Sequence, residues 1–133
     1  MFNRNRIELI GNVGQNPETG STTAGSSWAR MSVATNERWK DSSTGEMREQ
    51  TEWHQVVFWG NLAEVVSKYI RKGSHVLVEG TLKSREYEDK SGIKRRVWEV
   101  RATTLGLLDR AERHQGQAPT DGDDVPPGGD APF

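Results

Sequence analysis

The sequence predicts an all-β protein: a five-stranded barrel carrying one α-helix, followed by a disordered acidic tail. Three observations predict it. Five separate stretches alternate apolar and polar residues with a period of two, and only one segment has the period of a helix. A hydrophobic fraction of 32% over 133 residues leaves material for one compact core.

The first strand is expected over about residues 4–13, where Ile7, Leu9 and Val13 alternate with Arg6, Glu8 and Asn12, and it breaks at Gly14 through Pro17. A Gly/Ser/Thr-rich connection follows from Thr19 to Ser27. In the second strand Ala29, Met31, Val33 and Thr35 alternate with Arg30, Ser32 and Ala34, and the strand runs out through Trp39 into the polar stretch Lys40 to Glu46, read as a mobile hairpin loop. The third strand, Trp53 to Trp59, places Trp53, Gln55, Val57 and Trp59 on one face and His54, Val56 and Phe58 on the other. Over 61–72, Leu62, Val65, Val66, Tyr69 and Ile70 form a single helical stripe. Asn61 is in position to cap it, with Glu64 completing a capping box, and Gly73 follows Arg71 and Lys72 as a left-handed stop. The fourth strand alternates Val76, Val78, Gly80 and Leu82 against Leu77, Glu79, Thr81 and Lys83; the fifth runs from Arg95 to about Leu108, after the turn Asp89-Lys90-Ser91-Gly92. Three strands, a helix and a two-strand hairpin are the order of a five-stranded Greek-key OB-fold barrel.

The net charge of −1 conceals a division. Residues 1–108 hold 16 Lys and Arg against 13 Asp and Glu, whereas 109–133 hold 2 against 6. From His114 onward there is no cation, and Gly and Pro recur, so 109–133 is expected to be disordered. The absence of cysteine excludes disulfides and thiolate chemistry. No stretch has the length of a membrane span, and Met-Phe-Asn-Arg-Asn-Arg lacks the apolar run of a signal peptide, so a cytoplasmic protein is expected.

Five tryptophans in so polar a chain are its most informative feature. A sheet that buries one face in its core has no structural use for Trp53 and Trp59 on the other face, unless something flat and apolar lies there. In the fourth strand Thr81, Lys83, Arg85 and Tyr87 share one face, and Trp39 sits at the rim of the second strand. Paired as an OB barrel, Trp39, Trp53, Trp59 and Tyr87 can line one groove with Arg38, Lys40, Lys83 and Arg85 beside them. Single-stranded nucleic acid suits such a surface, because unpaired bases stack on rings while Lys and Arg meet phosphates.

Several of these segments together closely resemble the bacterial single-stranded DNA-binding protein family. They are Ile-Glu-Leu-Ile-Gly-Asn-Val-Gly from Ile7, continuing through Pro17-Glu18; Gly45-Glu46-Met47-Arg48-Glu49-Gln50-Thr51-Glu52-Trp53-His54; Leu62-Ala63-Glu64-Val65; and Tyr69-Ile70-Arg71-Lys72-Gly73. The resemblance covers residues 1–108 and implies an OB-fold homotetramer that binds single-stranded DNA in replication, recombination and repair, close to the nucleoid. It implies stacking on Trp39, Trp53, Trp59 and Tyr87, phosphate contacts from cations that include Lys72, and a subunit interface at His54, although the sequence alone leaves His54 as either interface or core. Ser42, Gln55, Asn61 and Glu86 stand where familiar members place Lys or Arg, which shifts weight from phosphate attraction to stacking. The resemblance further divides the remainder into a flexible linker, 109–120, and an acidic docking tip, 121–133. There Asp123, Asp124 and Asp130 would meet a basic rim, and Pro132 and Phe133 would fill an apolar pocket of replication, recombination and repair proteins. Ala131 is smaller than the family's aliphatic residue, and Val125 to Gly129 separates the acidic cluster from the tip.

No cofactor is predicted. There is no Walker loop, no His/Cys metal spacing and no recognisable triad, which leaves for an enzyme only a nuclease built from scattered carboxylates. The other alternative is an OB module that binds RNA or serves as a protein adaptor. Trp28 and Trp98, tied to no groove, read as packed residues; Lys83 and Arg85 read as phosphate contacts or as solvated strand charges; His75 and His114 read as surface or interface residues.

Overall fold

The computed structural model describes residues 1–109, so all but Asp109 of the segment expected as linker and acidic tip, including Asp123, Asp124, Asp130, Pro132 and Phe133, lies outside the described residues. Six strands and one helix form in the order β1 (Ile7–Val13), β2 (Glu18–Ser21), β3 (Ser27–Lys40), β4 (Met47–Trp59), α1 (Asn61–Tyr69), β5 (His75–Glu88) and β6 (Lys94–Leu107). The sheet runs β1-β5-β6-β4-β3-β2, and a pairing of β1 with β3 closes five of these strands into the expected barrel. Every pairing is antiparallel except β4 with β6. At the closure a Cβ on Gly11 would run into the backbone carbonyl of Ala34, so two strands meet there at a distance only glycine permits.

The sixth strand is β2. It was expected to be part of a loop, since Glu-Thr-Gly-Ser has no alternation, but Glu18 to Ser21 pairs with Arg30 to Ser27 on the same edge of β3 that β1 uses further along. The Gly14–Pro17 break is thus a bend, after which the chain resumes pairing with the same neighbour. What makes this segment a strand is the open edge of β3, a tertiary feature with no signature in its own residues.

The alternation places Leu9, Val13, Met31, Val33, Val56, Phe58, Val76, Val78 and Val100 in the core, with Ala63, Val66 and Ile70 of α1 packed against them. In β6 the inward parity changes. Val100 and Ala102 face the core, Thr103 is the extra residue of a bulge between the Gly80–Ala102 and Glu79–Thr104 pairs, and Leu105 then packs on the core.

The helix differs from expectation at both ends. Its N-cap is Gly60, with φ 66°, and no side chain caps it; Asn61 is already helical. Gly60 donates to the Ser27 carbonyl at 2.9 Å, and this sharp exit from β4 takes the position Asn61 was expected to fill. The helix ends at Tyr69 because Ile70 turns extended as its side chain enters the core, while the Arg71 guanidinium donates to the carbonyls of Ser67 at 3.3 Å and Ile70 at 2.8 Å. Gly73, with φ 92°, lies in the turn that follows.

Beyond the barrel β3 and β4 continue as a two-stranded arm, residues 36–51, and β5 and β6 as a second, residues 82–99. Both tips use one device. Asp41 accepts from the Ser43 amide at 2.8 Å and from Arg48 Nε at 3.0 Å; Asp89 accepts from the Ser91 and Ile93 amides, each at 2.9 Å, and from Arg95 Nε at 2.7 Å. The stretch expected as a hairpin loop is a hairpin turn, and Asp41 satisfies its backbone locally.

Candidate nucleic-acid interface

Residues opposite one another in a ladder share a face, so the register shows which side chains come together. Val57 of β4 lies between Arg30 of β3 and Arg101 of β6, and Arg101 lies opposite Thr81 of β5. This row crosses four strands on the outside of the barrel. Further along the same face in one direction is Trp59; in the other lie Lys83, Trp53, Arg85 and Tyr87. Trp53 is 55% exposed, Trp59 44% and Tyr87 44%. Trp53 is seated on Gly14, where a Cβ would strike its six-membered ring. The bend after β1 is thus the bed of an exposed outer-face ring, and Asn16 in that bend accepts from the Lys72 amide at 2.8 Å, tying Lys72 to the same region.

Trp39 is also exposed, at 43%, but on the other side. It pairs with Arg48, whereas Trp53 pairs with Ala34; the odd spacing of Trp39 from Ala34 turns the two rings to opposite faces of the β3–β4 ladder. Arg38 and Lys40 keep the parity of Trp53. Arg38 and Trp39, with Glu37 and Gln50, line an open cleft of about 540 Å³ on the arm. Three of the four rings, with Lys83 and Arg85, therefore share the outer face, while Trp39 marks the reverse of the arm.

The cations are not equivalent. Arg85 is paired with Glu99 at 3.1 Å and stands 6.0 Å from the centroid of Tyr87, so it supports the ring but its charge is already partnered. Lys83 and Arg101 have no carboxylate within 4.0 Å among the described residues. Arg101 was not singled out in the sequence, because only the parallel pairing of β4 with β6 brings it beside Val57. Towards β1 the outer face becomes acidic, where Glu8 lies opposite Glu79. Their mutual hydrogen bond raises the pKa of Glu8 and lowers that of Glu79, the latter with help from Arg6 at 2.7 Å. The outer face thus carries cations on β5, β6 and β3, and carboxylates beyond them towards β1.

His54 is half-buried on the inward face, with Nε2 at 2.9 Å from the Thr35 hydroxyl. Trp98, expected to be packed, is 56% exposed in this chain: it pairs with Ser84 on the arm, beyond the end of the core. Trp28 is half-buried.

Known proteins resemble this chain in sequence and in fold. Residues 4–108 match the single-strand binding protein family. The chain belongs to that family. It is 41% identical over 132 residues to single-stranded DNA-binding protein 1 of Xylella fastidiosa, covering 93% of this chain and 97% of the relative. Among solved structures it is similar to the Plasmodium falciparum SSB in complex with ssDNA, with a TM-score of 0.75 and 33% identity, covering 82% of this chain and 98% of that one. Membership of the family makes it a single-stranded DNA-binding protein and not an enzyme. No helix among the described residues is long and apolar enough to cross a membrane.

Proposed function

We propose that the protein coats and protects single-stranded DNA with little sequence preference during replication, recombination and repair, acting as a nucleoid-associated homotetramer. The observation that carries this reading is the outer face on which Trp53, Trp59 and Tyr87 stand exposed beside Lys83, Arg85 and Arg101. Bases stack on the rings and phosphates run along the cations. Each stacked base contributes about 1–3 kcal/mol, a magnitude known from single-strand-binding OB folds as a class, and every base has a π-face, hence the sequence tolerance. Trp39, Arg38 and Lys40 extend the path along the first arm; a two-stranded ribbon is strongly twisted, and a strand winding round it reaches both faces. Lys72 meets the strand near Trp53.

Poly(dT) is expected to quench tryptophan fluorescence strongly, and Trp53→Ala to weaken binding by about 1–3 kcal/mol. Unchanged affinity in that variant would remove the outer face from the mechanism, and equal competition by RNA would favour an RNA-binding module instead. His54 and its Thr35 partner lie at an open end of the inward face, which suits a subunit contact; light scattering on His54→Ala tests it. The acidic tip, with Asp123, Asp124, Asp130, Pro132 and Phe133, serves to recruit genome-maintenance proteins through an apolar anchor and an acidic flank. Deleting residues 130–133 should abolish that recruitment while leaving DNA affinity intact.

A further inference from the structure

Trp28 belongs to a row that the sequence does not reveal. It pairs with Trp59 on one side and with Gly20 on the other, so the two indoles stand on adjacent strands of the same outer face. A Cβ on Gly20 would lie 2.8 Å from Cζ2 of Trp28, so the ring leans over β2. The Arg30 guanidinium is 5.7 Å from the ring centroid, close enough to hold the indole by a cation–π contact. The Arg30 Nε is buried without an acceptor among the described residues, while the Arg30 Nη1 stands 3.8 Å from the Glu18 carboxylate.

Beside Trp28 opens a cleft of about 340 Å³ between β2 and α1, lined by Gly20, Ser27, Trp28, Glu64, Ser67 and Lys68. Its volume falls in the range of small-ligand sites, about 300–1,000 Å³. Lys68 is exposed and has no carboxylate within 4.0 Å among the described residues; Glu64, one turn earlier, is approached by the Ser27 hydroxyl at 3.5 Å. Trp28, one wall of the cleft, lies opposite the exposed Trp59 in the β3–β4 ladder, and the cleft carries one cation, Lys68, on α1.

We propose that this cleft seats one further nucleotide of the bound strand, with its base against Trp28 and its phosphate at Lys68. The strand thus leaves Trp59 across β2 towards α1. This rests on the reading of the outer face as the DNA-binding surface.

Binding of oligo(dT) of increasing length to the full chain tests it. Trp28→Leu, which keeps an apolar cover over Gly20, is expected to weaken binding of long oligomers by about fivefold or more, and that of oligomers too short to pass Trp59 hardly at all. Lys68→Gln should lower the slope of log affinity against log salt by about 1. Ultraviolet cross-linking of iodouracil-substituted oligomer to the unmodified protein should label the peptide that contains Trp28, a result independent of how the variants fold. Wild-type affinity at every length in a folded Trp28→Leu protein, or no label on that peptide, overturns the proposal. If Trp53→Ala weakens binding in the same assay, the outer-face reading survives that failure; if neither variant does, both fall.

Discussion

Strands β3, β4, β5 and β6 are each part barrel and part arm, and the two parts obey different rules. In the barrel, Val33, Val56, Phe58, Val76 and Val78 are fully buried on one face, so alternation between apolar and polar residues sets the structure. In the arms both faces are wet, and local chemistry sets it instead: turns closed by Asp41 and Asp89, cross-strand pairs such as Arg96 with Glu86 at 2.9 Å, and a side-chain bond from Thr51 to Asn36. The arms also differ from each other. Residues 36–51 hold 3 Lys and Arg against 4 Asp and Glu, and residues 82–99 hold 6 against 4, so the second arm carries the net positive charge that phosphate attraction needs. One pair of strands can therefore be governed by burial at one end and by local polar chemistry at the other.

The largest effect should come from the barrel. Phe58→Ala removes the largest fully buried side chain and is expected to lower stability by about 3–5 kcal/mol, seen as a reduced midpoint in denaturant. Loss of DNA binding in a variant that unfolds at the wild-type midpoint would erase the division between barrel and binding face.

A smaller effect separates cations within the second arm. Lys83→Ala should reduce the salt slope of DNA binding by about 1, and Arg85→Ala by less, since Arg85 already neutralises Glu99 at 3.1 Å. Equal slopes would mean that Arg85 leaves Glu99 when DNA binds.

The smallest effect lies at the arm tips. Hydrogen bonds from Ser43 hold Asp41 below the ordinary carboxylate value of about 3.9, and the Arg95 bond does the same for Asp89. A depressed carboxylate contributes stability that is present above its unfolded value and lost as pH falls through its folded value. Both turns should therefore hold at neutral pH and loosen only under acid conditions, with Ser43 and Ser91 amide protection following the carboxyl titration. Loosening near pH 6 would assign the turns to other groups.

Much of this was legible in the residues. The stripe Leu62, Val66, Ile70 announced α1, and the alternation around Trp53 and Trp59 announced both the face they share and the core behind it. Strand β2 was not legible, because Glu18 to Ser21 pairs for want of any other neighbour on the β3 edge. The bulge at Thr103, the partnering of Arg85 and the row from Gly20 to Trp59 were hidden for a related reason: each depends on which strand lies beside which. Asn61 had the composition of a cap and lost the position to Gly60, whose backbone conformation the exit from β4 required.

By itself the sequence determined the barrel class, the helix, and the inward and outward sides of β1, β3, β4 and β5, since all of these follow from periods of two and 3.6 along one chain. Tertiary structure alone decided which exposed rings of different strands share a face, which cations remain unpaired among the described residues, and that Trp39 looks away from Trp53. Register and strand order are pairwise properties, and a one-residue change in either turns a side chain to the opposite face without altering the pattern in its own strand.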